Sequence, residues 1–317
     1  MPVDLPVKIG PLKESDLPEA DRIMRLAFGT FLGIPDPIHF MGDRSFIAPR
    51  FHAKHVKVLA ARLDDRLIGL NVATRWGSFA FFGPLVVLPE FWDKGIAQRL
   101  LVPTMKLFDR WDLRCSGLFT FAHSTKHVGL YQKFGYWPGS LTALMTRTPE
   151  AGAAPANPPT LLSALPRAPR EQAIAACAQL TNRIEKGLDL TAEIRAVLAQ
   201  RTGDIVLTHT RGALDAFALC LNGPGSEAGA KTCYVKFGAA RGGPGAGDRF
   251  DRLLDACDAF ASSRGVPIEA GTNLAREDAF RRMRSHGYRP TTQGVAMLRP
   301  NLPAFNRPDA YVIDDWR

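Results

Sequence analysis

A chain of 317 residues with 46% hydrophobic content carries ample apolar material for a buried core, which excludes a disordered chain and favours two domains over one. The net charge of +9 is spread over both halves rather than gathered in a basic arm, so it suits a solvated surface or a polyanionic small ligand better than a nucleic-acid tail. No apolar run approaches a membrane span, the start lacks a signal-peptide layout, and the five cysteines, without Cys-x-x-Cys spacing, read as reduced thiols with no metal site; a soluble, cytoplasmic protein is expected.

The first predicted strand lies near Val7 to Gly10, followed by a helix opened by Ser15 or Asp16 and running through Ala20 to Phe28, with Ile23, Leu26 and Ala27 on its apolar face. An irregular Pro- and Gly-rich segment spans Gly29 to Asp43. A hairpin follows, Val56 to Arg62 and Leu67 to Arg75, joined at Asp64-Asp65-Arg66. The apolar strand after Gly83 then runs through one tight turn, Pro89 to Gly95, into an amphipathic helix from Ile96 to Trp111. At that helix start, free backbone N–H groups and the helix dipole make a cradle for phosphate. A strand at Gly117 to Ala122, a short helix carrying Tyr131 and closing at Gly135, and a strand at Leu141 to Thr146 complete the half.

Two stretches in this half, Val87-Leu88-Pro89 to Gly95-Ile96-Ala97 and Leu130-Tyr131 to Gly135-Tyr136, together resemble the hallmark motifs of the GNAT acetyltransferase superfamily, V-x-P-x-x-(R/Q)-x-x-G-x-(G/A) and L-Y-x-x-x-G-(F/Y). The match holds at Val87, Pro89, Gly95, Ala97, Leu130, Tyr131, Gly135 and Tyr136 and departs at Trp92, where the family usually has Arg or Gln. The resemblance implies that acetyl-CoA is the co-substrate. Its pantetheine arm would pair with Leu85, Val86 and Val87, its diphosphate would lie on the turn of Trp92, Asp93, Lys94, Gly95, Ile96, Ala97 and Gln98, and Ser124 would contact the arm or else cap a helix. Tyr131 is the implied donor of a proton to the departing thiolate. For the base that deprotonates the acceptor amine, His127, His123 and Glu90 all remain open. The segment Phe28 to Phe46, with Phe31, Pro35, Asp36, Pro37, His39, Phe40 and Asp43, stands where such enzymes cover the acceptor pocket; if it does so here, a partly apolar acceptor fits best.

Glu150 to Pro159 has linker composition, and after it the order of elements repeats. Helical segments at Glu171 to Ile184 and Ala192 to Gln200 precede a hairpin at Asp204 to Thr210 and Ala216 to Leu221. Then come a strand at Tyr234 to Phe237, the run Gly242 to Gly247, a helix at Phe250 to Ser262, a strand around Ile268, the segment from Asn273 to Tyr288, and a strand at Val295 to Leu298. Met283 holds the place of Tyr131, and the glycine run reads as a flexible connector more readily than as a second phosphate cradle. The expected fold is therefore α/β (α+β): two tandem GNAT-like domains, 1–149 and a degenerate 161–317 joined by a linker at 150–160, each a mixed, mostly antiparallel twisted sheet flanked by helices.

The expected function is transfer of an acetyl group to the amine of a small molecule or peptide. A non-catalytic acyl-CoA-binding or regulatory protein is the alternative. Arg276, Arg281, Arg282, Arg284 and Arg289 read as a solvated face rather than a nucleic-acid site, because no aromatic stacking platform accompanies them. Monomer and homodimer both stay open.

Overall fold

The computed structural model describes residues 5–149 and 159–317, so the predicted linker, apart from Pro159 and Thr160, lies outside the described residues. The first part of the chain forms β1 (Lys8–Pro11), α1 (Leu17–Phe31), α2 (Ile47–Phe51), β2 (Val56–Leu63), β3 (Arg66–Trp76), β4 (Phe79–Val87), α3 (Ile96–Arg110), β5 (Cys115–Thr120), α4 (Thr125–Gln132) and β6 (Trp137–Arg147). The second forms β7 (Thr160–Leu161), α5 (Arg167–Ile184), α6 (Thr191–Gln200), β8 (Gly203–Thr210), β9 (Ala213–Gly223), β10 (Gly229–Ala240), α7 (Ala246–Ser263), β11 (Ile268–Asn273), α8 (Glu277–Ser285), β12 (Arg289–Arg299) and β13 (Val312–Ile313).

Local chemistry accounts for these elements. Pro18 in the first turn of α1 gives up an N–H that has no helical partner there, and Ala20, Ile23, Met24 and Ala27 form one buried stripe at helical spacing. The β2–β3 hairpin turns on Asp64 and Asp65 at φ of 47° and 65°, both in the left-handed region that a tight twisted hairpin demands and that Asp tolerates. Two stretches expected to be irregular are helical: α1 continues to Phe31, and Pro37–His39 forms a 3-10 turn.

The strands join into one mixed, mostly antiparallel sheet flanked by helices, in the order β1-β2-β3-β4-β5-β12-β6-β11-β10-β9-β8-β7, with β13 against β10. The centre of that order departs from two self-contained sheets. The last strand of the first half, β6, lies between β12 and β11 of the second, while β12 pairs with β5 of the first. Packing follows the exchange. Ala143 and Met145 of β6 are buried with Phe250, Leu254 and Met283 of α7 and α8, whereas Val295 and Met297 of β12 are buried with Leu101, Met105 and Tyr131 of α3 and α4. Arg147 at the end of β6 also pairs with Asp258 of α7.

Each half thus buries a strand of the other, and a fully buried Met side chain alone is worth about 1.5–3 kcal/mol. A protease site placed between Ala151 and Asn157 should therefore cut the chain without parting it. The two fragments should co-elute in gel filtration until denaturant is added; separate elution would contradict the exchanged packing.

Candidate active site

β4 and β5 run parallel but stay paired only through Phe79↔Cys115, Ala80↔Ser116 and Phe81↔Gly117. Beyond Phe81 they part. On its other edge β4 still pairs with β3 at Leu85, Val86 and Val87, after a register slip opposite Asn71 and Ala73. The edge of β4 facing β5 is therefore open over residues the sequence marked for pairing with an extended ligand. A cavity of about 960 Å³ fills this splay, lined by Gly83 to Val87 on one side and by Leu118, Phe119 and Thr120 on the other.

The splay leads to the N-terminus of α3. Gly95 is its N-cap, at φ 72° and ψ 7°, and no side chain caps the helix, so the first-turn N–H groups point at the cavity without an internal partner. A Cβ added at Gly95 would meet nothing within 4 Å, so there is open space where an anion would rest. Gly95, Ile96, Ala97 and Gln98 all line the cavity. Lys94, expected on this turn, lies off the lining, its ammonium turned to the Glu90 carbonyl (2.9 Å) and the Phe91 ring. Asp93 would repel an anion, but Lys126 pairs with it.

Trp92 has a definite role. Its indole N–H donates to the Val87 carbonyl at 2.7 Å, tying the turn to the strand end. That bond removes the Val87 carbonyl from the acceptors available to an added strand, so of the three residues expected to pair with a ligand Val87 keeps only its N–H.

Tyr131 lines the cavity, is 8% exposed, and packs edge-on against Phe82. Burial pushes its phenol up to about 12 against the opposing hydrogen bond with Thr120, so the hydroxyl holds its proton throughout the physiological range. His127 also lines the cavity, with its ring 4.9 Å from Phe31. Burial, then repulsion from Lys126 and His123, lowers its pKa and favours the neutral imidazole, which can accept a proton.

The other two base candidates fall away from the cavity. His123 is an exposed ring stacked on Phe31 at 6.2 Å, and Glu90 is exposed and paired with Arg66 at 2.7 Å. Neither is among the lining residues, because the turns that carry them place both side chains on the outer surface. Ser124 is the N-cap of α4, accepting from the His127 N–H at 3.4 Å, and it too lies off the lining.

The remaining walls join both halves. Phe28, Phe31, Phe40, Met41 and Phe46 face Thr291, Thr292, Glu269, Trp316 and Arg317 across the cavity. Arg44 bridges them through a two-pronged pair with Glu269 at 3.0 and 2.5 Å. Sequence reasoning marked the aromatic segment but missed Arg44, Glu269, Trp316 and Arg317. A charged residue inside the aromatic segment was the one available signal.

The second half repeats the splay and closes it. β10 and β11 pair through Val235↔Ala270 and then part, as β4 and β5 do. Here β13 occupies the gap. Ile313 and Val312 pair with Gly238 and Ala239, the Ala240 N–H donates to Tyr311, and the Asp314 N–H donates to Gly271 across the gap. Arg276 fastens this segment through the Val312 carbonyl (2.9 Å) and the Asp314 carboxylate (2.5 Å).

Two expectations are corrected here. Arg276 is fully buried rather than part of a solvated basic face, while Arg281 and Arg282 of that face pair with Glu277, Asp278 and Asp251. The glycine run is an ordered turn, not a slack connector: Gly245 caps α7 at φ 74°, and Arg249 donates to the carbonyls of Arg241 and Gly242 at 2.9 Å each. The Arg282 guanidinium lies 2.2 Å from where a Cβ on Gly247 would sit, covering the first turn of α7. Met283, fully buried, stands where Tyr131 stands in the first half.

Among the described residues no helix is long and apolar enough to cross a membrane, no group of three or more His, Cys, Asp or Glu is placed to hold a metal ion, and all five cysteines are buried thiols.

Residues 21–136 match the family model of the acetyltransferase (GNAT) family. No curated protein matches the sequence. Among solved structures, a candidate acetyltransferase from Pyrococcus horikoshii is similar at 14% identity with TM-score 0.71, over 98% of this chain and 95% of that one. A GCN5-related N-acetyltransferase from Sphaerobacter thermophilus is similar at 16% identity with TM-score 0.59, over 93% and 96%. A tandem GNAT protein from the clavulanic acid biosynthesis pathway is similar at 12% identity with TM-score 0.54, over 92% and 98%. At these identities the likeness is one of fold.

Proposed function

Taking as premise that residues 21–136 form a domain of the GNAT acetyltransferase family, we propose that the protein transfers an acyl group, acetyl in the simplest case, from acyl-CoA to an amine bound in the same cavity. The observation that carries this reading is the open edge of β4 running into the uncapped N-terminus of α3, with Tyr131 in the same cavity. Acyl-CoA brings an activated thioester; the chain supplies placement and proton management. Leu85 would hold the pantetheine arm with the N–H of Val87, the backbone of Val86 being turned to Leu70 of β3, and the backbone from Gly95 to Gln98 would hold the diphosphate. Holding both reactants in register is worth several kcal/mol of barrier, on the order of 7–11 at best.

His127 takes the proton that the amine sheds as the C–N bond forms. Tyr131 donates its hydroxyl proton to sulfur as the C–S bond breaks. A phenol raised to about 12 is a weak acid toward an ordinary thiolate, but the desolvation that raises it also raises the basicity of a thiolate developing beside it. The first half is the catalytic unit, and the second contributes the opposite wall of the acceptor space. The aromatic wall suits an amine with an apolar body, either a small molecule or a peptide.

Thiol release from acetyl-CoA, measured across a panel of amines, tests the proposal. Release should depend on the amine, and kcat/KM should rise with pH along an acid limb centred below the ordinary histidine pKa of about 6.5, because His127 is depressed. Tight binding of acetyl-CoA with no release for any amine would leave the acyl-CoA-binding reading in its place.

A further inference from the structure

Arg50 of α2 is 1% exposed, yet it lines neither wall of the large cavity. Its guanidinium reaches three partners, one of them the Arg317 carbonyl, to which Nη2 donates. Nε and Nη2 donate to both carboxylate oxygens of Glu227, at 2.9 and 2.7 Å, while Nη1 donates to the Gly83 carbonyl at 2.7 Å. Glu227 also accepts from Lys236 at 2.7 Å, and Lys236 pairs with Glu193 at 2.8 Å. Glu193 in turn takes the indole N–H of Trp76 (3.0 Å) and lies 2.9 Å from His55 Nε2. Two cations and two carboxylates thus balance in a buried site. Its outermost donor is spent on one carbonyl.

That carbonyl belongs to the residue at which β4 changes direction. Gly83 has φ 142°, a conformation open to glycine, and lies at the register slip where β4 leaves β5. The segment after it carries the open edge, Leu85 to Val87. A bulge has freedom to re-pair unless its polar groups are fixed, and here the fixing donor is anchored 177 residues away in sequence, on the turn before β10.

We propose that Arg50 is a positioning residue for the acyl-CoA strand. Held by Glu227 and the Arg317 carbonyl from the second half, it sets the direction of the open β4 edge, so that the second half bears on affinity for acyl-CoA through Arg50. This rests on the functional reading above.

Removing one member of a buried ion pair strands the other charge, whereas removing both leaves Lys236 and Glu193 balanced. The test compares the intact chain with the double variant Arg50→Met/Glu227→Met, the single variant Arg50→Lys and the control double variant Lys236→Met/Glu193→Met. Arg50→Lys keeps the charge but cannot bond Glu227 twice and Gly83 at once. Amide hydrogen exchange at Val86 and Leu88, whose N–H groups face Leu70 and Ile68 of β3, is read without ligand, and coenzyme A affinity by calorimetry.

Exchange should speed up and affinity should fall, each by about tenfold or more, in the first double variant and in the same direction in Arg50→Lys. The control, which leaves the Glu227–Arg50–Gly83 chain in place, should lose thermal stability with neither change. Unchanged exchange at Val86 and Leu88 in a folded Arg50 variant, or an equal change in the control, overturns the proposal. If the parent chain fails to bind coenzyme A, the functional reading falls, while the exchange comparison still decides the role of Arg50.

Discussion

Tyr131→Phe should leave coenzyme A affinity unchanged and slow the chemical step by about 10²-fold or more. The ring stays, so its edge-on contact with Phe82 and its place in the apolar cluster of α3 and α4 are preserved. Only the hydroxyl goes, and with it the proton that would reach the departing sulfur. Single-turnover kinetics with acetyl-CoA, read beside the thermal midpoint, separate the two roles of the residue. A merely structural tyrosine would lower the midpoint and spare the rate.

A second large effect is expected at Gly95, where the backbone is left-handed and the surrounding space is open. Gly95→Asn and Gly95→Asp both add a side chain at φ 72°, which Asn and Asp tolerate better than other residues, at a cost of about 1 kcal/mol. They differ in charge. The Asp carboxylate is favourable at a helix N-terminus in the free protein but meets the diphosphate of a bound ligand, and two like charges near 4 Å repel by about 4 kcal/mol at a protein surface. Gly95→Asp should therefore be at least as stable as Gly95→Asn yet bind coenzyme A about 10²- to 10³-fold more weakly than the parent, with Asn between them. Equal affinity in the two variants would mean that no phosphate approaches α3.

The elements themselves were legible because each carries its own local signal. Ile23 and Ala27 read as one helix face, though Leu26, read with them, is only half-buried; Asp64-Asp65 reads as a turn between alternating strands, and Gly95 as a break before a helical repeat. The exchange of β6 and β12 was not legible. Ala143 and Met145 alternate along their strand as Val295 and Met297 do along theirs, and a period-two pattern says which face is buried without naming the neighbour. For the same reason β13, two residues long, gave no pattern to recognise, although it closes the second splay.

At the site, chain position alone could not separate His127 from His123 and Glu90. Burial against Phe31 and the lining of the cavity distinguish His127, and both depend on where α1 ends. Arg50, Glu193, Glu227 and Lys236 stayed hidden because their pairing is set by tertiary packing, and an isolated charge in a sequence looks like surface.

The first splay, between β4 and β5, is open, and its counterpart between β10 and β11 is closed by β13. Calorimetric titration of the intact chain with acetyl-CoA tests that most directly: it should give one site per chain, abolished or shifted beyond the measurable range by Gly95→Asp. Two sites per chain, or a single site indifferent to Gly95→Asp, would contradict it.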